Sequence, residues 1–436
     1  MTATAHFVAA GSYHSVRIPA KGSFFKKLLA FSGPGYLVAV GYMDPGNWAA
    51  DLAGGSSFGY GLLFVVLASS GFAMVLQYLA IKLGVATGKD LAAMCRERYS
   101  RGMALGLWGM AEVMIIACDL AEVIGTAIAL NLLFHLPLLV GAVVTVADVL
   151  ALLVLQRRGI RYLEGLVLIL IVTVVVCFGL EIMFSSPQLA PLAGGLLPNL
   201  SVFSHRDMLY IAVAILGATV MPHNLYLHSA AVQTRDFGSS DEDKREAIRF
   251  ATIDSTAALT LACLVNAAIL IVAAATFYTS GMRQVAEIGS AYELLTPLLG
   301  VGIASGLFAL ALLVSGQNST ITGTMAGQVI MEGFLKLRLA PWARRLITRG
   351  LAIVPAILVI WLYGGSGLAR LLVFSQVVLS VQLSFAMWPL ITFTANKSIM
   401  GAFVNSRGLT IVAGVIGGLI SALNVWLVLQ AGGAGG

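Results

Sequence analysis

Charge is what this sequence has least of. Of its 436 residues only 11% are Asp, Glu, Lys or Arg, while 59% are hydrophobic. A soluble domain carries roughly 25% charged residues. Too few polar side chains remain to solvate a globular surface, so the solvent has to be lipid. Cysteine is scarce too. Cys95, Cys118, Cys177 and Cys263 show no C-x-x-C spacing, and the last three sit inside apolar runs. They read as small buried hydrophobes, which leaves neither a disulfide framework nor a thiolate metal site. The first 20 residues are polar and mixed, without the apolar core of a cleavable signal peptide. No polar stretch is long enough for a soluble domain. The longest, 185–207 and 235–246, read as loops, the second a solvated turn. The net charge of +6 therefore informs only through where the basic residues fall.

Apolar runs are what the chain has in abundance. About 20 residues cross a bilayer as a helix, and eleven candidates qualify: 28–57, 59–83, 104–134, 137–155, 160–184, 208–234, 247–278, 294–316, 343–363, 368–394 and 409–431. Basic residues crowd the N-terminal segment (Arg17, Lys21, Lys26, Lys27) and every second loop. Those loops carry Lys89, Arg96, Arg98 and Arg101, then Arg157, Arg158 and Arg161, then Arg235, Lys244, Arg245 and Arg249. Lys336, Arg338, Arg344, Arg345 and Arg349 follow, then Lys397 and Arg407. The other loops hold only Arg206, Arg283 and Arg370. The positive-inside bias puts the N-terminus in the cytoplasm, and an odd span count puts the C-terminus outside.

Two spans are interrupted at their middle, span 1 by Asp44-Pro45-Gly46-Asn47 and span 6 by Met221-Pro222-His223-Asn224. Proline removes a backbone donor and clashes with the preceding turn, so each helix should split and leave backbone polar groups free at membrane depth. Such backbone survives only where it lines a cavity or binds something. Spans 1 and 6 hold matching places in two five-span halves of opposite topology, and paired interruptions there mark the substrate site of a secondary transporter. A carboxylate at membrane depth needs a partner, and no lysine or arginine lies in the core of either broken span. A cation from solution is the natural complement. Asp44 and Asn47 offer hard oxygens, the carbonyls around Gly41 and Ala218 offer more, and Met221 adds a thioether, which favours softer transition metals over magnesium or calcium.

At these residues the sequence resembles the Nramp family of proton-coupled divalent metal transporters. Asp44-Pro45-Gly46-Asn47 and Met221-Pro222-His223-Asn224 match its two signature motifs. The stretch Ser315-Gly316-Gln317-Asn318-Ser319-Thr320-Ile321-Thr322-Gly323-Thr324 is similar to its transport signature and falls at the end of span 8. The resemblance, which runs from about residue 28 to 431, implies an all-α polytopic membrane protein of the LeuT type. Spans 1–5 and 6–10 would form the 5+5 inverted repeat, with an eleventh helix added. It implies Asp44, Asn47 and Met221 as side-chain metal ligands, with the carbonyls of Gly41 and Ala218 joining in some conformations. Gly41 stands where the family often has alanine, a change that leaves a backbone ligand intact. Gln376 in span 10 is a candidate contact to the metal's water shell.

Span 3 carries Glu112, Asp119 and Glu122 on one helical face. Three buried carboxylates in a row read as a proton relay or polar pathway, or as acids held neutral or paired for stability. The resemblance implies a proton route from Asp44 through Asp119 and Glu122, with Arg344 or Arg345 as the basic partner at its cytoplasmic end. It also associates His223 with proton coupling rather than coordination. His228 reads as structural or as part of the cytoplasmic pathway. Asp51 could line a vestibule or cap a turn. Asp148, Glu164 and Glu181 lie near span ends, where solvation suffices. Asp254 and Asn266 face inward or pair with neighbours.

The expectation is thus a multi-pass plasma-membrane importer of manganese or iron(II), with cobalt, zinc and cadmium as passengers, driven by protons through alternating access. Metal and protons are its substrates, and neither a cofactor, a nucleic acid nor an oligomer is required. It divides into a cytoplasmic segment (1–27), spans 1–5 (28–184), an extracellular loop (185–207), spans 6–10 (208–394), and a final loop, span 11 and short outer tail (395–436). A magnesium carrier of the same family is opposed by Met221. A LeuT-fold amino-acid symporter is opposed by Asp44, which would repel a substrate carboxylate. A metallohydrolase would need an H-E-x-x-H set that is absent, and nothing resembles a channel filter.

Overall fold

The computed structural model describes residues 14–19, 22–146, 159–283, 285, 287–337, 339, 341–363 and 366–432. The second half of the fourth expected span, with Asp148, and the basic residues Lys21, Arg157, Arg158 and Arg338 lie outside them. Almost everything described is helical. The first half holds α1 (Phe24–Phe31), α2 (Pro34–Ala39), α3 (Pro45–Phe58), α4 (Leu63–Thr87), α5 (Leu91–Arg98), α6 (Arg101–Phe134), α7 (138–146) and α8 (Ile160–Ser185). After the short α9 (Leu189–Gly195) come α10 (Arg206–Thr219), α11 (Pro222–Ala231), α12 (Asp241–Ala273), α13 (Ile288–Leu299) and α14 (Ala304–Leu335). The chain ends with α15 (Pro341–Tyr363), α16 (Ser366–Ala395), α17 (Lys397–Met400) and α18 (Arg407–Gly432). A two-residue parallel pair, β1 (Val16–Arg17) with β2 (Arg235–Asp236), lays the N-terminal segment along the chain after α11. Eight helical stretches among the described residues are long and apolar enough to cross a membrane.

Both expected interruptions are present. Span 1 divides into α2 with a 3-10 turn (Val40–Met43) and α3, and span 6 into α10 and α11. Three segments differ from the sequence reading. Asp241–Glu246, read as part of a solvated turn, is the start of α12, because Ser240 and Asp243 form a capping box that satisfies the first free amides. The loop after α4 contains α5, capped by the Asp90 carboxylate on the Ala93 amide at 2.8 Å.

The third is span 8, expected at 294–316. Its first residues belong to α13, which stops at Gly300 in the left-handed region (φ 67°), and the span itself is α14. The Ser315–Thr324 stretch therefore lies mid-helix, not at its end. Its hydroxyls explain why a polar stretch does not break the helix. Thr320, Thr322 and Thr324 donate to the carbonyls of Gly316, Ser319 and Thr320, at 3.0, 2.9 and 2.6 Å. Polarity was mistaken for a span boundary.

The broken segments sit in the middle. α3 packs on α10, α12 and α16, and α14 packs on α6 and α8. Nearly every residue of α3, of α10 from Ala212 on, and of α11 is buried. The outer helices show the opposite: Ile169 and Val176 of α8, Val354 and Trp361 of α15, and Val415 and Leu429 of α18 all expose large apolar side chains. That apolar belt faces lipid.

Candidate functional site

The span 1 interruption is built by Asp44. Its backbone is extended (φ −71°, ψ 164°), Pro45 opens α3, and the Asp44 carboxylate accepts the Asn47 amide at 2.8 Å as the N-cap. One oxygen, Oδ1, is used for this. The other, Oδ2, has no hydrogen-bond partner among the described residues, although Asp44 is fully buried. The Asn47 side chain donates to the freed Tyr42 carbonyl, which also accepts Asn266 of α12 at 2.9 Å, and its own oxygen is left over. Ser315 of α14 donates to the Met43 carbonyl. The backbone freed by the break is thus met by three side chains, as a buried carbonyl requires.

The span 6 interruption is built by proline. α10 ends at Thr219, Met221 is extended (φ −71°, ψ 118°), and Pro222 starts α11. Met221 is fully buried. The two interruptions meet. A Cβ on Gly41 would run into the Asn224 side chain, and one on Gly46 into the Gln376 amide. A Cβ on Gly217 would strike the Gln376 backbone. Gln376 of α16 therefore lies between both breaks. Asn224 and the Gln376 oxygen also lack hydrogen-bond partners among the described residues. The junction gathers oxygens unpaired among the described residues on Asp44, Asn47, Asn224 and Gln376, with the buried Met221 at the span 6 break and no lysine or arginine in α2, α3, α10 after Arg206, or the α11 break. Such a mixed oxygen and sulfur set suits a divalent transition metal.

α6 carries the acidic stripe past this junction. A Cβ on Gly125 would enter the Pro45 ring, so α6 touches the span 1 break one turn beyond Glu122. Arg345 of α15 bridges the stripe, with Nη1 on Asp119 and Nη2 on Glu122 at 2.6 Å. Arg349 reaches the same Glu122 oxygen at 3.1 Å, and the Thr320 hydroxyl, shared with the Gly316 carbonyl, lies 3.1 Å from it. Arg344 pairs with Glu112 at 3.0 Å, beside Trp108. Asp119 keeps one oxygen unbonded among the described residues. Both basic candidates thus have a carboxylate. Arg349, counted from the sequence as a loop charge, belongs to the cluster too, as do Ser319 and Thr320. The signal was available: Arg345 and Arg349 are four apart on one helical face, opposite carboxylates three apart.

His223 is fully buried and neither ring nitrogen has a partner among the described residues. His228 lies within 2.8 Å of the Gln77 oxygen, and Gln77 donates to the Tyr42 hydroxyl at 2.6 Å. The histidine is thereby linked to the span 1 break through α4. Asp51 is buried on α3, two turns beyond Asp44.

A second cluster holds the other end of α2. Gly33 has φ 139°, a conformation closed to side chains, and a Cβ there would strike Glu164 and Arg235. Asp254 of α12 accepts the Gly35 amide at 2.7 Å and the Ser32 hydroxyl at 2.9 Å. Arg235 donates to the Ser32 carbonyl at 2.7 Å and pairs with Glu164 of α8 at 2.8 Å. Three readings are corrected here. Glu164 is buried and paired, not solvated, and Arg235 is an internal charge, because the turn after α11 folds it under α1. Glu181 is fully buried as well.

Residues 35–430 match the Natural resistance-associated macrophage protein-like (Nramp) family. The chain belongs to the Nramp family. A relative from Xanthomonas campestris pv. campestris, named divalent metal cation transporter MntH, is 57% identical over 421 residues, covering 96% of this chain and 95% of that one. A crystal structure of a histidine-to-alanine mutant of the Eremococcus coleocola manganese transporter is 40% identical. It superposes with a TM-score of 0.90 and covers 98% of this chain and 93% of that chain. The nucleobase-cation-symport-1 family transporter Mhp1, 15% identical, matches at a TM-score of 0.59 over 92% of this chain and 91% of its own. That likeness speaks for the fold. This Nramp chain has the LeuT-type architecture, a 5+5 inverted repeat with an added eleventh helix.

Proposed function

We propose that the chain imports divalent transition metal ions, manganese and iron(II) foremost, coupled to protons by alternating access. Cobalt, zinc and cadmium would be passengers. The observation that supports this is the junction of the two broken spans, where Asp44, Asn47, Asn224 and Gln376 keep oxygens unpaired among the described residues, Met221 is buried at the span 6 break, and neither break holds a lysine or arginine. Asp44, Asn47 and Met221 are the side-chain ligands, the carbonyls of Gly41 and Ala218 add oxygens, and Gln376 meets the ion's water shell. The relatives' names, a divalent metal cation transporter and a manganese transporter, support the same reading.

Protons leave Asp44 toward Glu122 and Asp119 on α6, with Arg345 and Arg349 holding the carboxylates and Arg344 with Glu112 closing the series. His223, buried beside Met221, takes part in the proton movement and not in coordination. The N-terminus lies in the cytoplasm and the C-terminus outside the plasma membrane, on the reading of the basic loops. On that orientation the Arg235–Glu164–Asp254 cluster closes the cytoplasmic end, and its release from Ser32 and Gly35 would free α2 to swing. The two repeats then run 28–184 and 208–394, between the segments 1–27 and 395–436 and around the loop 185–207.

Proteoliposomes containing the protein and an internal pH dye test this. Manganese uptake with internal acidification is expected, with little uptake of magnesium or calcium. Manganese uptake without acidification would remove the proton coupling, and equal magnesium uptake would remove the metal assignment.

A further inference from the structure

Glu181 takes no part in the transport steps above. It is fully buried on the inner face of α8, and neither carboxylate oxygen has a hydrogen-bond partner among the described residues. Among the described residues its surroundings supply no counter-charge. α8 packs on α14, α12 and α2. The charged residue of α14 is Glu332, near its opposite end. In α12 no charged residue follows Asp254, and the one titratable group beyond it is the Cys263 thiol. α2 holds Tyr36, and α3, which reaches α8 through Trp48, adds Asp44 and Asp51, both acidic. On α8 itself Cys177 lies one turn away, while Arg161 and Glu164 belong to the Arg235 cluster about 25 Å down the helix. A carboxylate with neither donors nor a cation is far costlier in this setting than the neutral acid.

Its position gives the proton a use. Phe178, one turn before Glu181, meets Trp48 edge to face at 4.8 Å, and Trp48 meets Phe308 of α14 at 5.1 Å. Trp48 follows Asp44 by one turn, so the three rings form a layer with Asp44 on one side and Glu181 on the other. We propose that Glu181 is a separate proton-binding site on the outer side of this aromatic layer. Its carboxylate takes a proton from the external solution, holds it as the O–H of a neutral acid while the layer is closed, and returns it when α3 moves off α8. The anion left behind then draws a divalent cation toward Asp44. Calling this side external rests on the orientation given under the proposed function.

Two measurements test the site. The first is the infrared difference spectrum of wild type minus Glu181→Gln, in membranes at neutral pH, and it is independent of transport. A protonated-carboxyl band present in wild type and lost in the variant is expected, and identical spectra would overturn the proposal. If Glu181→Gln does not fold, Glu181→Asp serves, since the acid band should shift; an unshifted band is equally fatal. The second is the apparent KM for manganese against external pH at fixed internal pH. Wild type should show weaker apparent affinity at acid external pH, and Glu181→Gln should lose that one-proton dependence with kcat retained. Superimposable profiles would overturn the exchange with the outside. Absence of manganese uptake in wild type would instead count against the proposed function and leave the infrared result to decide the site.

Discussion

Gly125 of α6 lies directly against the ring of Pro45, so that even a methyl group at 125 would occupy the proline's space. This contact joins the two halves of the proposed machinery. Pro45 follows the carboxylate proposed to hold the metal, and Gly125 follows Glu122 by one turn. The close approach brings the acidic helix beside the span 1 break. Gly125→Ala is expected to push α6 and α3 apart, at a cost of about 1–3 kcal/mol for overpacking. Manganese uptake should fall at least about fivefold, by the same energy scale, while the protein still inserts. Uptake normalised to membrane protein, with the melting temperature in detergent, checks this; wild-type rates would show that the contact is dispensable.

Asp44 has two jobs that substitution can separate. It caps α3 through the Asn47 amide, and it offers Oδ2 to the junction. Asp44→Asn keeps the cap, because asparagine is as good an N-cap as aspartate, and removes a buried carboxylate. Its melting temperature should match or exceed that of wild type while manganese uptake disappears. Asp44→Ala should lose uptake and, in addition, about 1 kcal/mol of cap stability. An asparagine variant that still transports would show that the residue's importance is conformational.

Much of this is legible in the sequence, and the reason differs by residue. The breaks at Asp44-Pro45 and Met221-Pro222 could be read because proline's missing donor and fixed geometry act locally. Span 8 was misplaced because hydropathy cannot see where a hydroxyl bonds. The Thr320 hydroxyl donates to the Gly316 carbonyl, so the stretch stays helical while looking like a loop. Glu164, Arg235 and Arg349 were read as solvated charges for a related reason. A position near a span end is compatible with water or with burial, and only the packing of α1, α8 and α15 decides. Asn224 is not marked as a contributor by the sequence, because asparagine in a helix has many ordinary uses, and what distinguishes it is the approach of Gly41; for Asn266 the choice between facing inward and pairing is settled by the Tyr42 carbonyl.

Met221 is the residue expected to set which ions pass. A thioether gives little to magnesium or calcium, whose hard ions prefer oxygen and water, and more to manganese or iron(II). Met221→Ala should keep part of the manganese uptake and allow calcium and magnesium to compete far more strongly. Because truncating a buried methionine also costs about 2–5 kcal/mol, Met221→Leu is the control that keeps the volume and removes the sulfur. Both variants should relax selectivity in the same direction. Calcium competition unchanged in the leucine variant would show that sulfur does not discriminate.

The Arg345 bridge makes the last prediction two-sided. Its guanidinium serves Asp119 and Glu122 together, while Arg349 and Thr320 share the Glu122 oxygen. Glu122 is therefore the firmly held acid, and Asp119, with one oxygen unbonded among the described residues, is the freer one. Asp119→Asn should preserve manganese binding and weaken proton co-transport, so that metal uptake continues with little internal acidification. Arg345→Ala should be worse than either carboxylate change alone, because it leaves a buried charge uncompensated at about 3–5 kcal/mol. Adding Asp119→Asn to Arg345→Ala should recover part of that stability, since the stranded charge is gone, without restoring proton flux. Calorimetry on the single and double variants measures the recovery, and the pH dye measures the flux. Simple additivity in stability would mean that the two side chains act independently despite their contact.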